Sequence, residues 1–245
     1  LVTELTQEQE RAVVADKTYW LDGTRMGDRR LEDIIVPPLH WALPLVAANG
    51  QLERLETAPL SVPQSETIIA FDATAGQHAP APVTGALIMR GDGAAALAGQ
   101  IGLITPQQRD QGLRGIWTGL LQDVVIDEIG SSYDREANVL TLTVKGSMPL
   151  DWSNGGLIPP GSTYQSLSAI ERTEGPFRHT PYAVNHPVFD RQLVTVRLPD
   201  GGAGFRTAGG QFDRTELGHH MSRTVRLEGD TATIEVLVQS LTSEV

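Results

Sequence analysis

The segment Tyr19-Trp20-Leu21-Asp22-Gly23-Thr24-Arg25 puts a carboxylate at the end of an aromatic strand. An aspartate so placed can orient a histidine ring, as the third member of a nucleophile–base–acid set. The same spelling also suits a hairpin strand that closes in an Asx-type turn. The chain holds no cysteine, so it supplies no thiol nucleophile, no disulfide and no Cys-ligated zinc. No Gly-x-Ser-x-Gly elbow supports a serine nucleophile. His219 and His220, with Asp213 and Glu216, are the nearest thing to a metal set. Adjacent histidines point to opposite sides of a strand, and no third ligand falls at strand or helix spacing. His186 and Asp190 are four apart, but Pro187 blocks the helix that would join them. His179 and His186, beside Pro181 and Pro187, read as loop residues. Asp127 and Glu128 alternate faces of a strand and do not make a glycosidase pair. Arg90-Gly91-Asp92 reads as a hairpin turn. Gly91-Asp92-Gly93 is not read as a phosphate loop, because no helix is expected to follow it.

The elements that must position these groups are mostly strands. Residues 12–22 read as a hairpin. Residues 23–65 form a long excursion broken by Pro37-Pro38, Pro44, Asn49-Gly50, Pro59 and Pro63, with short strands near 43–46 and 52–55. A strand is expected at 67–71. The Ala-, Gly- and Pro-rich stretch 73–82 reads as a linker, with a boundary near 78–83. Residues 83–98 read as a hairpin around an Asp-Gly turn. One helix is expected over 105–121. Thr105 caps it, Pro106 suits its first turn, and Leu113, Ile116, Trp117, Leu120 and Leu121 share an apolar face. Beyond it the period falls to two. Val124 and Ile126 share a face, as do Leu140, Leu142 and Val144, and strands are expected at 193–198, 222–227 and 232–238. These elements specify an α+β, mainly β class: an antiparallel β-sandwich or rolled sheet with one packed helix.

Composition bounds the partners. The 245 residues are 40% hydrophobic and 20% charged, which suits a folded chain long enough to bury a core. The net charge is −11, and no basic run exceeds Arg29-Arg30, so a nucleic-acid partner is not expected. No apolar stretch reaches the roughly 18 residues that a membrane-spanning helix needs. The opening Leu-Val-Thr-Glu-Leu-Thr-Gln-Glu lacks the basic flank and apolar stretch of a signal peptide, and the chain does not start with Met.

The Trp20-Leu21-Asp22-Gly23-Thr24 string resembles the Trp-Leu-Asp-Pro-Thr signature of transglutaminase-like domains, with Gly23 in place of the proline. Residues 27–31, Trp41-Ala42-Leu43-Pro44-Leu45, and Leu198-Pro199-Asp200-Gly201-Gly202 followed by 223–244 resemble the region downstream of that core. The likeness is to bacterial proteins in which the core is flanked by β-rich domains. It implies that Asp22 matches the acid of a Cys-His-Asp triad whose cysteine lies upstream of this chain. The family's histidine sits on the strand just before the acid, and residues 1–18 contain none. The resemblance therefore implies no catalysis by this chain alone, and thiol acyl transfer or amide hydrolysis by a longer parent. It divides the chain into 1–80, the tail of the core plus the proline-rich excursion, and 81–245, a β-rich C-terminal domain with one helix. The expected role is a non-catalytic scaffold whose partner is the upstream core, in a periplasmic or otherwise extracytoplasmic parent, with no cofactor. The residues alone also allow an autonomous protein- or peptide-binding module, or a hydrolase with an unrecognised site.

Overall fold

A computed structural model describes residues 2–5, 11–14, 17–21, 23, 25–37, 39–43, 50–153, 155–162, 174–175, 178 and 180–245. Three short strands, β1 (Val2–Leu5), β2 (Arg11–Val14) and β3 (Lys17–Trp20), form an antiparallel sheet in that order. A two-stranded ribbon follows, β4 (Trp41–Ala42) with β5 (Glu53–Arg54). The remaining strands are β6 (Ser65–Asp72), β7 (Ala81–Arg90), β8 (Val125–Asp134), β9 (Val139–Met148), β10 (Phe189–Arg197), β11 (Phe212–Glu216), β12 (His219–Glu228) and β13 (Thr231–Ser240). They make one eight-stranded sheet in the order β11-β12-β13-β10-β6-β7-β9-β8. Every neighbouring pair is antiparallel except β10 with β6, which run parallel in the middle.

The α+β, mainly β class holds, with a mixed sheet and two helices, α1 (Asp92–Leu103) and α2 (Pro106–Leu120). The expected helix at 105–121 is α2. Its capping box is closed: Thr105 Oγ1 accepts the Gln108 amide and Gln108 Oε1 accepts the Thr105 amide. Two expectations are corrected. Residues 94–98 are not a strand paired with 83–89; they lie within α1. Gly91 adopts φ 71 and turns the chain into the helix, Asp92 opposes the positive end of its dipole, and the alanine run propagates it. Residues 73–80 are not a linker; they join β6 to its antiparallel neighbour β7. Ala73 is buried there and its amide donates to the Arg197 carbonyl. A cut at 80 would separate two hydrogen-bonded strands of one sheet.

One face of the sheet carries the core. Ile69 and Phe71, Val83, Leu140, Leu142 and Val144, Val194 and Val196, and Ile234 and Val236 fall on it by register. Alternation places them there, since successive strand residues face opposite ways. Trp117 of α2 lies fully buried on this face, over Gly85 and Val144. A side chain at Gly85 would occupy the space the indole fills. Leu150, Trp152, Leu157 and Phe205 extend the cover, with Trp152 and Phe205 edge to face at 5.6 Å. The other face exposes Thr84, Thr143, Lys145 and Arg197.

Candidate functional site

Asp22 lies outside the described residues, as do Thr24 and His179. The residues on either side are described, and they define where the acid strand leads. Arg25 is three positions beyond Asp22, a reach of at most about 11 Å. Residues 25–29 are docked against the start of α1 and the β8–β9 turn. Asp92 Oδ1 accepts the amides of Met26 (3.2 Å) and Gly27 (3.0 Å), and its other oxygen faces Arg25 at 3.4 Å. The Asn138 amide donates to the Gly27 carbonyl at 2.6 Å, and Asn138 Oδ1 accepts the Tyr133 hydroxyl at 2.8 Å. Asn138 is 3% exposed and holds φ 51, a conformation that asparagine tolerates better than most residues. Arg25 also pairs with Asp28 at 2.6 Å. Gly27 is buried, and a Cβ there would stand 2.8 Å from the Gly91 carbonyl carbon and 2.9 Å from the Asp92 nitrogen. Only glycine lets the two backbones approach this closely.

From this clamp the chain crosses one end of the large sheet. That end holds the finish of β7, β8 and β13 and the start of β6, β9, β10 and β12. The far side is fastened by a second set of contacts. His40 Nε2 bonds Ser243 Oγ at 2.9 Å, and the His40 carbonyl accepts the Leu55 amide at 2.7 Å. Gln239 Nε2 donates to the Leu60 carbonyl at 2.5 Å. His186 bridges Ser240 Oγ and the Thr57 carbonyl, each at 2.9 Å. A carbonyl only accepts, so Nε2 of the neutral ring carries the proton and Nδ1 accepts the serine hydroxyl. Ser240 Oγ also accepts the Val188 amide at 2.7 Å.

The His186–Ser240 pair has the spacing of a base and its nucleophile, but its surroundings rule out that use. Ser240 is fully buried, His186 is 5% exposed, and a backbone carbonyl stands where an orienting acid would be. The pair is a satisfied buried clip. His186 is in a loop and Asp190 is on β10, so the helical pairing already judged unfavourable does not form. His220 pairs with Asp213 at 2.9 Å across β11 and β12, while His219 turns to the Leu217 carbonyl. Among the described residues, no group of three or more His, Asp or Glu could hold a metal ion. A helix does follow Gly91, against expectation, but its first turn carries the anionic Asp92, whose carboxylate is engaged by Arg25 and the Met26 and Gly27 amides.

Two carboxyl groups on the sheet are perturbed in opposite directions. Glu66 lies between Arg90 (2.6 Å) and Arg191 (3.1 Å), and Arg191 reaches on to Glu235 at 2.8 Å. The row crosses β7, β6, β10 and β13 on the open face. Burial is the largest single effect and pushes Glu66 up. The hydrogen bonds and charges of Arg191 and Arg90 together outweigh it and hold the carboxyl below its usual range. The Asp190 carboxyl lies on the core face with no ion pair or side-chain hydrogen bond among the described residues, and burial raises it. These groups lie on opposite faces and do not form an acid–base pair.

Both sheet edges are charged. β8 exposes Asp127 and Glu128, with Glu128 paired to Lys145, and β11 exposes Asp213, Arg214 and Glu216. Charge along an edge discourages the addition of a further strand. Sequence reading missed the clamp at Gly27, the Glu66 row and the His186 bridge. The one local signal for the clamp is Asn138 in a turn, a residue type suited to its backbone. Comparison with family models, with curated proteins and with solved structures yields no match to this chain.

Proposed function

We propose that the chain is the scaffold end of a transglutaminase-like protein, and that it fixes the path of the peptide leaving the catalytic acid. The observation that supports this is the clamp at Gly27. The acid motif ends at Thr24, and within three residues the backbone is gripped by Asp92 and Asn138 of the large sheet unit. An orienting acid works only if its own backbone is fixed, because a displacement of about 1 Å at a catalytic group can cost 100-fold in rate.

In such a parent an upstream thiolate attacks a carboxamide carbon. A thioester forms as the C–N bond breaks, and the imidazolium gives its proton to the departing amine. A second amine or water then takes the acyl group and returns the thiol. Asp22 accepts an imidazole N–H and steadies the ring's positive charge. The chain described contributes the acid and its support and no nucleophile, since it has no cysteine. The parent acts in the periplasm or elsewhere outside the cytoplasm.

The test is the gene product that includes the upstream region. A cysteine and a histidine are expected, both upstream of residue 1, with thiol-dependent acyl transfer that Asp22→Ala lowers by roughly three to four orders of magnitude. Steady turnover by the 245-residue chain alone, or unchanged turnover in Asp22→Ala, would refute the reading. Cell fractionation that recovers the parent in the cytoplasm would refute the assigned compartment.

A further inference from the structure

The large sheet has two unlike faces. Successive strand residues face opposite ways, so the residues between the core positions of β6, β7, β10 and β13 point away from the helices. Six of them are apolar: Ile68, Ala70, Ala86, Ile88, Leu193 and Leu237. Register makes them neighbours. Leu193, Ile68 and Ala86 sit side by side on β10, β6 and β7, Ala70 and Ile88 lie two residues further along, and Leu237 is opposite Arg191. All six are half-buried, and among the described residues none belongs to the core cluster or packs against it. The solvated face of an antiparallel sheet is ordinarily polar. A contiguous apolar patch there marks a contact surface.

Charge sets this face apart from the rest of the chain. β6, β7, β10 and β13 place six charged side chains on it, and these pair among themselves. Glu66 holds Arg90 and Arg191, Arg191 reaches Glu235, and Arg197 lies 3.5 Å from Asp72. Three cations and three anions leave no net charge there, in a chain of −11. Two acidic copies repel one another, and least where the facing surfaces are neutral. A strongly charged partner finds no excess charge on this face to hold it. The charged edges discourage growth by strand addition, which leaves the face.

We propose that a second copy of this chain packs on the open face, sheet against sheet about a two-fold axis. The proposal does not depend on Asp22. A two-fold contact uses the same patch on both copies, so a patch that carries no net charge can lie on itself. An apolar centre flanked by polar and paired charged groups is the usual anatomy of such a contact. The six strands from β12 to β9 span about 29 Å and the eight residues of β6 about 26 Å, giving about 750 Å². A stable interface takes about 800 Å² from each partner, so the face suffices for a reversible dimer.

Sedimentation equilibrium of the 245-residue chain at micromolar concentration should approach twice the chain mass of 26.4 kDa. Added salt should tighten the dimer, because it screens the mutual repulsion and no net charge is matched across the face. Ala86→Glu should weaken it by at least about 100-fold, because like charges then meet across a desolvated surface. Thr84→Glu, at an exposed strand position beside the patch, should act in the same direction with unchanged circular dichroism, and it carries the test if Ala86→Glu does not fold. Leu103→Asp, at the 89% exposed end of α1, should leave the dimer intact. A chain that stays monomeric throughout overturns the proposal. So does a dimer that salt weakens, which would place the contact at the charged edges, or one lost in Leu103→Asp and kept in Thr84→Glu, which would place it on the helices.

Discussion

Replacing Gly27 by alanine tests the clamp directly. The added methyl would stand 2.8 Å from the Gly91 carbonyl carbon and 2.9 Å from the Asp92 nitrogen, and would collide with the Asn138 amide. Two of these neighbours are backbone and cannot swing aside, so residues 25–29 must lift away. Three hydrogen bonds then go. The bond from the Gly27 amide to the Asp92 carboxylate is charge-assisted, and contributes about 1.5–3 kcal/mol. The Asn138 bond contributes about 1 kcal/mol and the exposed Met26 bond less. Alanine reduces the freedom of the unfolded chain and returns about 0.4–1 kcal/mol. The net loss is about 2–4 kcal/mol. It is read from urea unfolding if residues 25–31 and the sheet unfold together. If residues 25–31 open alone, it is read as hydrogen exchange there that is roughly 30- to 1000-fold faster, since each 1.4 kcal/mol is tenfold. Gly23→Ala is the internal control, because nothing among the described residues lies within 4 Å of the added methyl; it should be neutral or slightly stabilising. A Gly27→Ala protein with wild-type stability and wild-type protection at 25–31 would refute the steric argument and the clamp with it.

Glu66→Gln removes the charge between Arg90 and Arg191. The expected loss at pH 7 is about 2–3 kcal/mol, below that of a fully buried pair because the arginine side chains remain 31% and 30% exposed. The folded-state Glu66 is depressed, so its contribution is complete above the unfolded value and fades as pH falls through the folded one. Wild type and variant should therefore converge in acid, and a gap that persists in urea melts at pH 2 would contradict the ion-pair assignment. Asp190→Asn carries the opposite sign. A buried acid with a raised value costs stability once pH exceeds its folded value, and costs nothing below its unfolded value. The variant should melt higher at pH 7, with the advantage disappearing below about pH 3; equal melting temperatures throughout would show that Asp190 is not desolvated. Gly85→Ala sets a methyl 2.8 Å from both Trp117 Cζ3 and Val144 Cγ1. Overpacking of this kind costs about 1–3 kcal/mol, and unchanged thermal unfolding would show that the α2–sheet contact yields freely.

What the sequence disclosed follows from the range of each interaction. The start of α2 was legible because Thr105, Pro106 and Gln108 determine it within four residues. β9 and β13 were legible because alternation is itself a local pattern. α1 was not, since Gly91-Asp92-Gly93 satisfies the rules for a hairpin turn as well as those for a helix start. The alanines that decide the matter have no apolar stripe to betray them. The stretch 73–80 has the composition of a linker. Composition, however, reports only that few large side chains are present, and small residues also suit a tight connection between paired strands. The parallel contact of β6 with β10 joins Ser65 to Asp190, and no window of sequence spans that distance. β11 carries three charged residues in five and was not among the expected strands, because an edge strand stabilised by its neighbour needs no apolar pattern.

The candidate site divides in the same way, and the division carries the functional argument. Asp22 was visible as part of a short string, the kind of signal that survives without any fold. Its support was invisible. Gly27 meets Asp92 across 65 residues and Asn138 across 111, and each of these residues looks like ordinary turn chemistry in its own neighbourhood. Glycine at 27, a carboxylate at 92 and an amide at 138 become one device only when β7, β8 and β9 are aligned and α1 starts where it does. That alignment depends on the buried face centred on Trp117, Gly85 and Val144. A core substitution that shifts α1 along the sheet should therefore loosen residues 25–29 before it unfolds the protein. The packing of the large sheet and the placement of residues 25–29 are therefore a single mechanical system.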